Sequence, residues 1–97
     1  MQYSVEISIE AENDITAIFR YIAEALANPL AAQKLLDEIF AGIESLSEMP
    51  NRFRAWPNEP WFSRGVRCLG INNYNIFYIV DDDVVSVLRV FYSGRDV

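Results

Sequence analysis

Residues 66–80 read Val-Arg-Cys-Leu-Gly-Ile-Asn-Asn-Tyr-Asn-Ile-Phe-Tyr-Ile-Val, two apolar runs separated by an Asn-Asn pair. β-Branched and aromatic residues favour strands, and asparagine tolerates the positive φ angles of a tight hairpin turn. The pattern predicts a strand over Val66–Ile71, a turn at Asn72-Asn73 and a strand over Tyr74–Val80. Apolar side chains occur at both odd and even positions of the second strand, which indicates a central strand covered on both faces.

One further strand is predicted before this hairpin in the sequence and one after it. Three consecutive aspartates, Asp81–Asp83, indicate a second turn because neighbouring carboxylates are too costly to bury, and Val84–Tyr92 follows as the last strand. Near the N-terminus, Tyr3–Ser8 alternates polar and apolar residues, which is typical of a half-buried strand. The chain therefore has one strand in its first half and three in its second.

Between the first and second strands, the apolar residues recur at helical spacing. Ser8 is a candidate helix N-cap, and acidic residues follow it in the first turn. Asn28-Pro29 ends one helix and starts the next, since proline is favoured in a first helical turn and disfavoured inside a helix. The two apolar stripes are Ile15, Ile18, Phe19, Ile22 and Leu26, and then Leu35, Leu36, Ile39, Phe40, Ile43 and Leu46.

The resulting element order is β-α-α-β-β-β, and 97 residues correspond to a single domain over positions 1–97. Two amphipathic helices joined by a short turn form an antiparallel helical hairpin. We expect this hairpin to pack on an antiparallel sheet, which gives an α+β fold of two layers.

The composition excludes most enzyme classes. The chain has no histidine and one cysteine, Cys68, so it can build neither a histidine-based catalytic triad nor a His- or Cys-rich zinc site. Its four glycines are scattered and form no phosphate-binding loop. We therefore expect no cofactor and no metal ion. The single cysteine and the lack of a leader pattern indicate the cytoplasm, and no apolar run is long enough for a membrane span.

The charge is unevenly distributed along the chain. The net charge of −6 argues against a generic nucleic-acid binder, which is normally basic. Residues 1–50 hold nine acids and two bases, whereas residues 51–97 hold five acids and six arginines. Arginines that bind a partner and arginines that simply keep the chain soluble would both give this pattern.

Residues 50–65 contain three prolines, which forbid regular structure in the crossing from the helices to the sheet. Four aromatic side chains make this segment too apolar for a solvated linker, and they are Phe53, Trp56, Trp61 and Phe62. We expect an ordered crossing. Its arginines are candidate contact residues, with plain solvation as the alternative for each, and they are Arg52, Arg54 and Arg64.

Several short motifs occur in a fixed order along the chain. In the first half they are Ala11-x-x-Asp14-Ile15-x-x-Ile18-x-x-Tyr21-Ile22, Asn28-Pro29-x-Ala31-Ala32 and Leu46-x-x-x-Pro50. In the second half they are Gly65-Val66-Arg67-x-Leu69-x-Ile71-x-Asn73-Tyr74-x-Ile76-Phe77-Tyr78-x-Val80, Val87-x-Arg89-Val90 and Gly94-Arg95-Asp96. Together they resemble the RelE/ParE superfamily of bacterial toxins from type II toxin–antitoxin operons, and the resemblance covers nearly the whole chain.

The resemblance implies one of two activities. ParE-like members poison DNA gyrase, whereas RelE-like members are enzymes that cut messenger RNA on the ribosome. For a RelE-like activity the implied catalytic residues, which would transfer protons and surround the phosphate, are Arg67, Tyr92 and Arg95. Asn75, however, stands where RelE-like members usually carry an arginine, and the tract Asn73–Tyr78 resembles the ParE-like pattern. The ParE-like interpretation assigns no catalytic residue and describes a protein that is not an enzyme.

The resemblance also implies partners. A ParE-like toxin binds DNA gyrase and is neutralised by a cognate antitoxin, whose flexible C-terminal segment wraps it with apolar and acidic side chains. A RelE-like toxin binds the ribosome and messenger RNA instead. We expect no membrane partner, and both a homodimer and a toxin–antitoxin hetero-oligomer stay open.

The expected partner-binding residues are exposed aromatics of residues 53–62 and arginines of the second half, since Trp and Arg dominate interface energies. They are Trp56, Trp61, Arg64, Arg67, Arg89 and Arg95. The alternative for Arg67 and Arg89 is a purely structural pairing with carboxylates of the helices. Many relatives continue past the position of Val97, so a third interpretation is a non-toxic homologue that retains only antitoxin binding.

Overall fold

The computed structural model describes residues 2–94 and contains the elements in the predicted order. They are strand β1 (Ser4–Ile7), helix α1 (Ile9–Arg20), a π-helical turn (Tyr21–Ala25), helix α2 (Pro29–Ser45), a 3₁₀ turn (Pro50–Arg52), and strands β2 (Arg67–Ile71), β3 (Tyr74–Asp81) and β4 (Val84–Tyr92). The predicted strands are confirmed to within one residue at each end. Arg95, one of the expected site residues, lies outside the described residues.

The four strands form one mixed sheet in the order β1-β4-β3-β2. β2, β3 and β4 are antiparallel neighbours, as predicted. β1 instead runs parallel to β4, with Ile7 opposite Val87, which corrects the expectation of a wholly antiparallel sheet. β1 is connected to the rest of the sheet through the long helical hairpin rather than a tight turn, and a crossover of that length permits a parallel pair. The two-layer α+β class is confirmed.

The helices begin where the sequence predicts, at the Ser8 cap and at Asn28-Pro29, and Asn28 proves to be an N-cap as well. The Ser8 hydroxyl accepts the Ala11 N–H at 3.0 Å, and the Asn28 side chain accepts the Ala31 N–H at 3.2 Å, so each cap satisfies an N–H of the first turn. Pro29 occupies the start of α2, where its missing N–H costs nothing. Within residues 2–94, none of the helices has the length and apolar content needed to cross a bilayer.

The first apolar stripe stops earlier than predicted. Leu26 is 55% exposed, although its spacing from Ile22 predicts a core position. The cause is the π-helical turn, in which the Leu26 N–H bonds to the Tyr21 carbonyl five residues back, so that the 3.6-residue period is lost. Phe40, expected in the second stripe, is also partly exposed.

The sheet has an apolar cluster on each face, as the pattern of β3 predicts. On one face the helices cover a core that includes Ile15, Ile39, Ile76 and Val87. On the other face the loop of residues 53–66 covers a smaller core built around Phe77. The predicted ordered crossing is confirmed, with one short 3₁₀ turn at its start, Pro50–Arg52, where no regular structure was expected.

Candidate functional site

The outer edge of β4 loses its strand partner halfway along. β1 pairs with β4 only as far as Val87, and no strand within residues 2–94 pairs with the edge beyond it. There the Ser8 hydroxyl donates to the Leu88 carbonyl at 2.8 Å, and the Val90 N–H donates to the Asp14 carboxylate at 3.0 Å. Side chains of α1 and its cap therefore satisfy the part of this edge between Leu88 and Val90.

A groove of about 870 Å³ lies between the C-terminal half of β4 and the helical hairpin. Tyr21, Leu26, Tyr74 and Tyr92 contribute to its walls, and we call it the tyrosine groove. The rings of Tyr74 and Tyr92 meet edge to face, with their centroids 5.7 Å apart. Burial, and then the neighbouring phenols of Tyr92 and Tyr21, raise the pKa of Tyr74, so its hydroxyl stays neutral. The three tyrosines and Leu26 form a surface that suits the apolar side chains of a peptide, and the Asp14 carboxylate also lines the groove.

The π-helical turn shapes one wall of the tyrosine groove. It places Tyr21 and Leu26 side by side on the groove and leaves both more than half exposed. Ala27, with a φ angle of 50°, then reverses the chain toward α2. Single π turns inside helices are found frequently at functional sites because they redirect side chains at a small cost in helix stability.

Arg89 is paired with a helix carboxylate. Its Nε and Nη2 donate to Asp14 at 2.7 and 2.9 Å, and these hydrogen bonds raise the pKa of Arg89. The guanidinium also lies over the ring of Phe91, 4.4 Å from its centroid. The structural alternative stated for Arg89 is thus what the structure contains, although part of its side chain still reaches solvent.

Arg67 has a different partner from the one stated for it. Its Nη1 donates to the Phe53 carbonyl at 2.7 Å and to the Asn51 carbonyl at 3.3 Å, and not to a helix carboxylate. Beside it, the Tyr78 hydroxyl donates to the Pro50 carbonyl at 2.5 Å. Burial raises the pKa of Tyr78 to about 12, against the opposing charges of Arg67 and Arg52. Arg67 and Tyr78 together fix the start of the loop against the sheet.

The residues implied for RNA cleavage are not brought together. Arg67 lies opposite Tyr78 on β3, whereas Tyr92 lies opposite Tyr74. The two positions are four residue steps apart on β3, which corresponds to roughly 13 Å along the strand. Both side chains belong to the helix-covered face, but at opposite ends of it. Arg95, the third member of that set, lies outside the described residues.

The two tryptophans of the loop are less exposed than expected. Trp56 and Trp61 each meet the buried Phe77 edge to face, with centroids 4.9 and 4.8 Å away, and both are half-buried. They hold the loop on the sheet, whereas Phe62 is 54% exposed. The expectation of exposed aromatics therefore applies fully to Phe62 and partly to the tryptophans, because the second face of the sheet needs an apolar cover.

Arg64 is exposed at the end of the same loop. Together with Trp61, Leu88 and Arg89 it lines a hollow of about 460 Å³ on the sheet face opposite the helices. Of the expected partner-binding residues, Trp61, Arg64 and Arg89 are thus neighbours, while Arg67 lies on the other face. Within residues 2–94, no group of three or more carboxylate or thiol side chains is placed to hold a metal ion.

The tyrosine groove was not predicted from the sequence. Tyr21, Tyr74 and Asp14 do occur in the motifs that resemble the toxin superfamily, so a signal was present at each position. Helical or strand periodicity could not reveal the groove, because it is formed where α1, β3 and β4 meet.

Comparison with known proteins identifies relatives of this chain. Residues 5–97 match the family described as ParE toxin of type II toxin-antitoxin system, parDE. The chromosomal ParDE system from P. aeruginosa superposes with a TM-score of 0.77 at 23% identity, covering 94% of this chain and 96% of that one. The RelBE2 toxin–antitoxin complex from Mycobacterium tuberculosis superposes with a TM-score of 0.64 at 21% identity, covering 95% and 99%.

A third similar structure is the archaeal RelE–RelB complex from Pyrococcus horikoshii OT3, with a TM-score of 0.56 and 19% identity over 99% of this chain and 100% of that one. No curated protein sequence gives a significant match. At these identities the solved structures establish the fold, and the family match establishes membership. The chain belongs to the ParE toxin family of type II toxin–antitoxin systems.

Proposed function

We propose that this toxin poisons DNA gyrase in the cytoplasm as a protein-binding inhibitor without catalytic residues. The observation that carries the proposal is the separation of Arg67 from Tyr92. RNA cleavage needs a base, an acid and cations around one phosphate. Arg67 is bound instead to two loop carbonyls, and Tyr92 lies at the other end of the sheet in a groove whose lining includes the Asp14 carboxylate and no Arg or Lys. The asparagine at position 75 supports the same proposal.

The tyrosine groove is the proposed docking site of a cognate antitoxin. It combines an aromatic wall with a part of the β4 edge, beyond Val87, that no strand within residues 2–94 pairs, and a peptide uses two such features when it fills a groove and adds a strand. The RelBE2 and RelE–RelB relatives are themselves toxin–antitoxin complexes. Antitoxin bound here would complete the β4 edge that β1 leaves unpaired.

The hollow on the opposite face is the proposed contact with the target. Arg64 is exposed there beside Trp61, and Arg89 presents the part of its guanidinium that Asp14 leaves free. Trp56 contributes indirectly, because it holds the loop against Phe77. The two surfaces lie on opposite sides of the sheet, so target and antitoxin have separate docking sites in this proposal.

Pulse-labelling in bacteria tests the proposed function. The toxin is induced without its antitoxin, and incorporation of thymidine and of amino acids is followed over the first minutes. A gyrase poison stops DNA synthesis first. Protein synthesis failing first, with cut messages, would assign the RelE-like activity, and unchanged incorporation of both labels would leave a homologue that only binds antitoxin.

A further inference from the structure

Charge of opposite sign is concentrated in two parts of the molecule. Residues 9–45, which form the helical layer, hold seven acids and two bases, a balance of −5. Residues 50–67, which we call the arginine loop, hold four arginines and one glutamate, a balance of +3. The net charge of the whole chain therefore hides a loop that is locally basic.

The guanidiniums of the arginine loop form no ion pair with a carboxylate of residues 2–94. Arg89–Asp14 is the one ion pair found within residues 2–94, so Arg52, Arg54 and Arg64 keep their charge unneutralised. Arg67 donates to backbone carbonyls, which carry no net charge. All except Arg67 are exposed. The loop thus presents three exposed cations that no carboxylate of the described part of the chain neutralises.

Aromatic rings support these cations. The Arg52 guanidinium lies 4.7 Å from the centroid of Phe53, and the Arg54 guanidinium lies 5.9 Å from that of Trp56. Arg64 lines the same hollow as Trp61. Arginine held against an aromatic face keeps its donors free for an anion, and its planar fork matches the oxygens of a phosphate.

The three cations are distributed along the loop and do not converge on one point. Phe53, beneath Arg52, packs with the helix-side core, whereas Trp56 and Trp61 pack with the core on the other face. The series therefore passes around the β2 edge of the sheet. A pocket for one carboxylate would need converging donors, whereas a distributed series matches a polyanion with regularly spaced charges. The loop's one acid, Glu59, is occupied by hydrogen bonds from Ser63.

We propose that the arginine loop contacts the phosphate backbone of duplex DNA. Glu10 of the acidic helical layer lines the same hollow as Arg64 and opposes the contact there. Charges farther from the loop are screened over about 8 Å at physiological salt. The purpose of the contact rests on the proposed function, since a toxin that traps gyrase on DNA docks beside the duplex. The contact itself does not require gyrase.

Fluorescence anisotropy with a labelled 20-base-pair duplex measures the binding without gyrase. Three phosphate contacts predict that affinity falls about 40-fold between 50 and 200 mM salt, since each contact contributes a slope of about −0.9. The double variant Arg54→Gln/Arg64→Gln leaves one contact and reduces this loss to about 3- to 4-fold. The matched control is Arg20→Gln/Lys34→Gln, which removes the same charge from exposed positions of the helical layer and keeps the wild-type salt dependence.

Three outcomes would overturn the proposal. The first is that the duplex does not bind at 50 mM salt, and the second is that the two double variants weaken duplex binding equally. The third is that a polyglutamate peptide binds and the duplex does not, which would assign the loop to an acidic protein segment. Arg54→Lys/Arg64→Lys keeps the charge and retains binding, which separates lost charge from lost folding. Gyrase poisoning is measured in a separate assay. A loop that does not bind DNA can therefore be distinguished from a toxin that does not poison gyrase.

Discussion

Asp14 of α1 and Arg89 of β4 form a two-bond ion pair, with carboxylate oxygens 2.7 Å from Nε and 2.9 Å from Nη2 of the guanidinium. The same carboxylate accepts the Val90 N–H at 3.0 Å. One side chain of the helical layer thus supplies the acceptor that a neighbouring strand would otherwise provide. It closes the part of the β4 edge next to Leu88 and leaves the tyrosine groove open beyond it.

Replacing Asp14 by alanine should destabilise the fold. The change leaves the Val90 N–H and the Arg89 guanidinium without their acceptor. We expect the free energy of unfolding to fall by about 1–3 kcal/mol, and the partial exposure of Arg89 keeps the loss within this range because water can replace the lost bonds. Urea denaturation measures this. Glu12→Ala, an exposed position of α1 that makes no such bonds, is the control and should change stability by less than about 0.5 kcal/mol. Equal losses in the two variants would contradict the role given to Asp14.

Tyr78 should make the fold sensitive to alkaline pH. Burial raises its pKa from 10.0 to about 12, so the folded protein holds the phenol proton more tightly than the unfolded chain. The sign of the linkage follows: this stabilisation is complete below pH 10 and is lost as the pH rises toward 12, for a total of roughly 2–3 kcal/mol. Urea denaturation from pH 8 to 11.5 tests it.

The matched variant for this prediction is Tyr78→Phe, which removes the titrating group but keeps the ring. Its stability should fall less steeply above pH 10 than that of the wild type. Cys68, whose pKa burial raises to about 11, is present in both proteins and cancels in the comparison. Parallel curves for the two proteins would show that Tyr78 titrates normally.

Arg67 should hold the arginine loop in place. Arg67→Ala removes the donors to the Asn51 and Phe53 carbonyls, which we expect to cost about 1.5–3 kcal/mol because they are bonds to a charged group. Chymotrypsin, which cuts after the aromatic residues of the loop, should then cleave it faster than in the wild type. Arg64→Ala, also in the loop, keeps the backbone bond from the Arg64 N–H to the Trp61 carbonyl and removes no side-chain hydrogen bond found within residues 2–94, so it should leave the cleavage rate unchanged. Resistance of Arg67→Ala to the protease would refute this role.

The tyrosine groove should determine antitoxin affinity. Leu26→Glu places a charge in the groove, and the loss of a buried apolar contact of about 2 kcal/mol weakens antitoxin binding about 30-fold. Leu30→Glu makes the same change at a site that is 85% exposed and outside the groove, so its affinity should stay within about twofold of the wild type. Calorimetric titration with the antitoxin encoded beside the toxin measures both. Equal affinities would exclude the groove as the docking site.

Local patterns were sufficient to predict the strands, the caps and the central position of β3. Asn72-Asn73 specifies the hairpin turn, and the apolar residues at both odd and even positions of Tyr74–Val80 specify a strand covered on both faces, because both features depend on neighbouring residues. Ser8 and Asn28 specify their helix starts for the same reason. The parallel direction of β1 was missed, since the alternation in residues 3–8 is the same for either direction.

The site was harder to predict because it depends on contacts between distant elements. The π-helical turn moves Leu26 from the expected core stripe to the wall of the tyrosine groove. No residue pattern in Tyr21–Ala25 indicates a π turn. Trp56 and Trp61 are half-buried because they cover Phe77 on the sheet face that the helices leave uncovered. Phe77 is more than 15 residues away along the chain. The sequence is compatible both with an Arg89 that binds a partner and with an Arg89 paired to a helix carboxylate such as Asp14. Local patterns do not distinguish the two, because Asp14 and Arg89 are far apart along the chain.

Gyrase poisoning in vitro tests the central claim most directly. Purified toxin is incubated with gyrase, ATP and supercoiled plasmid, the reaction is stopped with detergent and protease, and the fraction of linear plasmid is measured. We predict that this fraction rises with toxin concentration, returns to background when antitoxin is added, and stays high with antitoxin present for Leu26→Glu. An unchanged linear fraction, together with cleavage of ribosome-bound messenger RNA by the same preparation, would contradict the account.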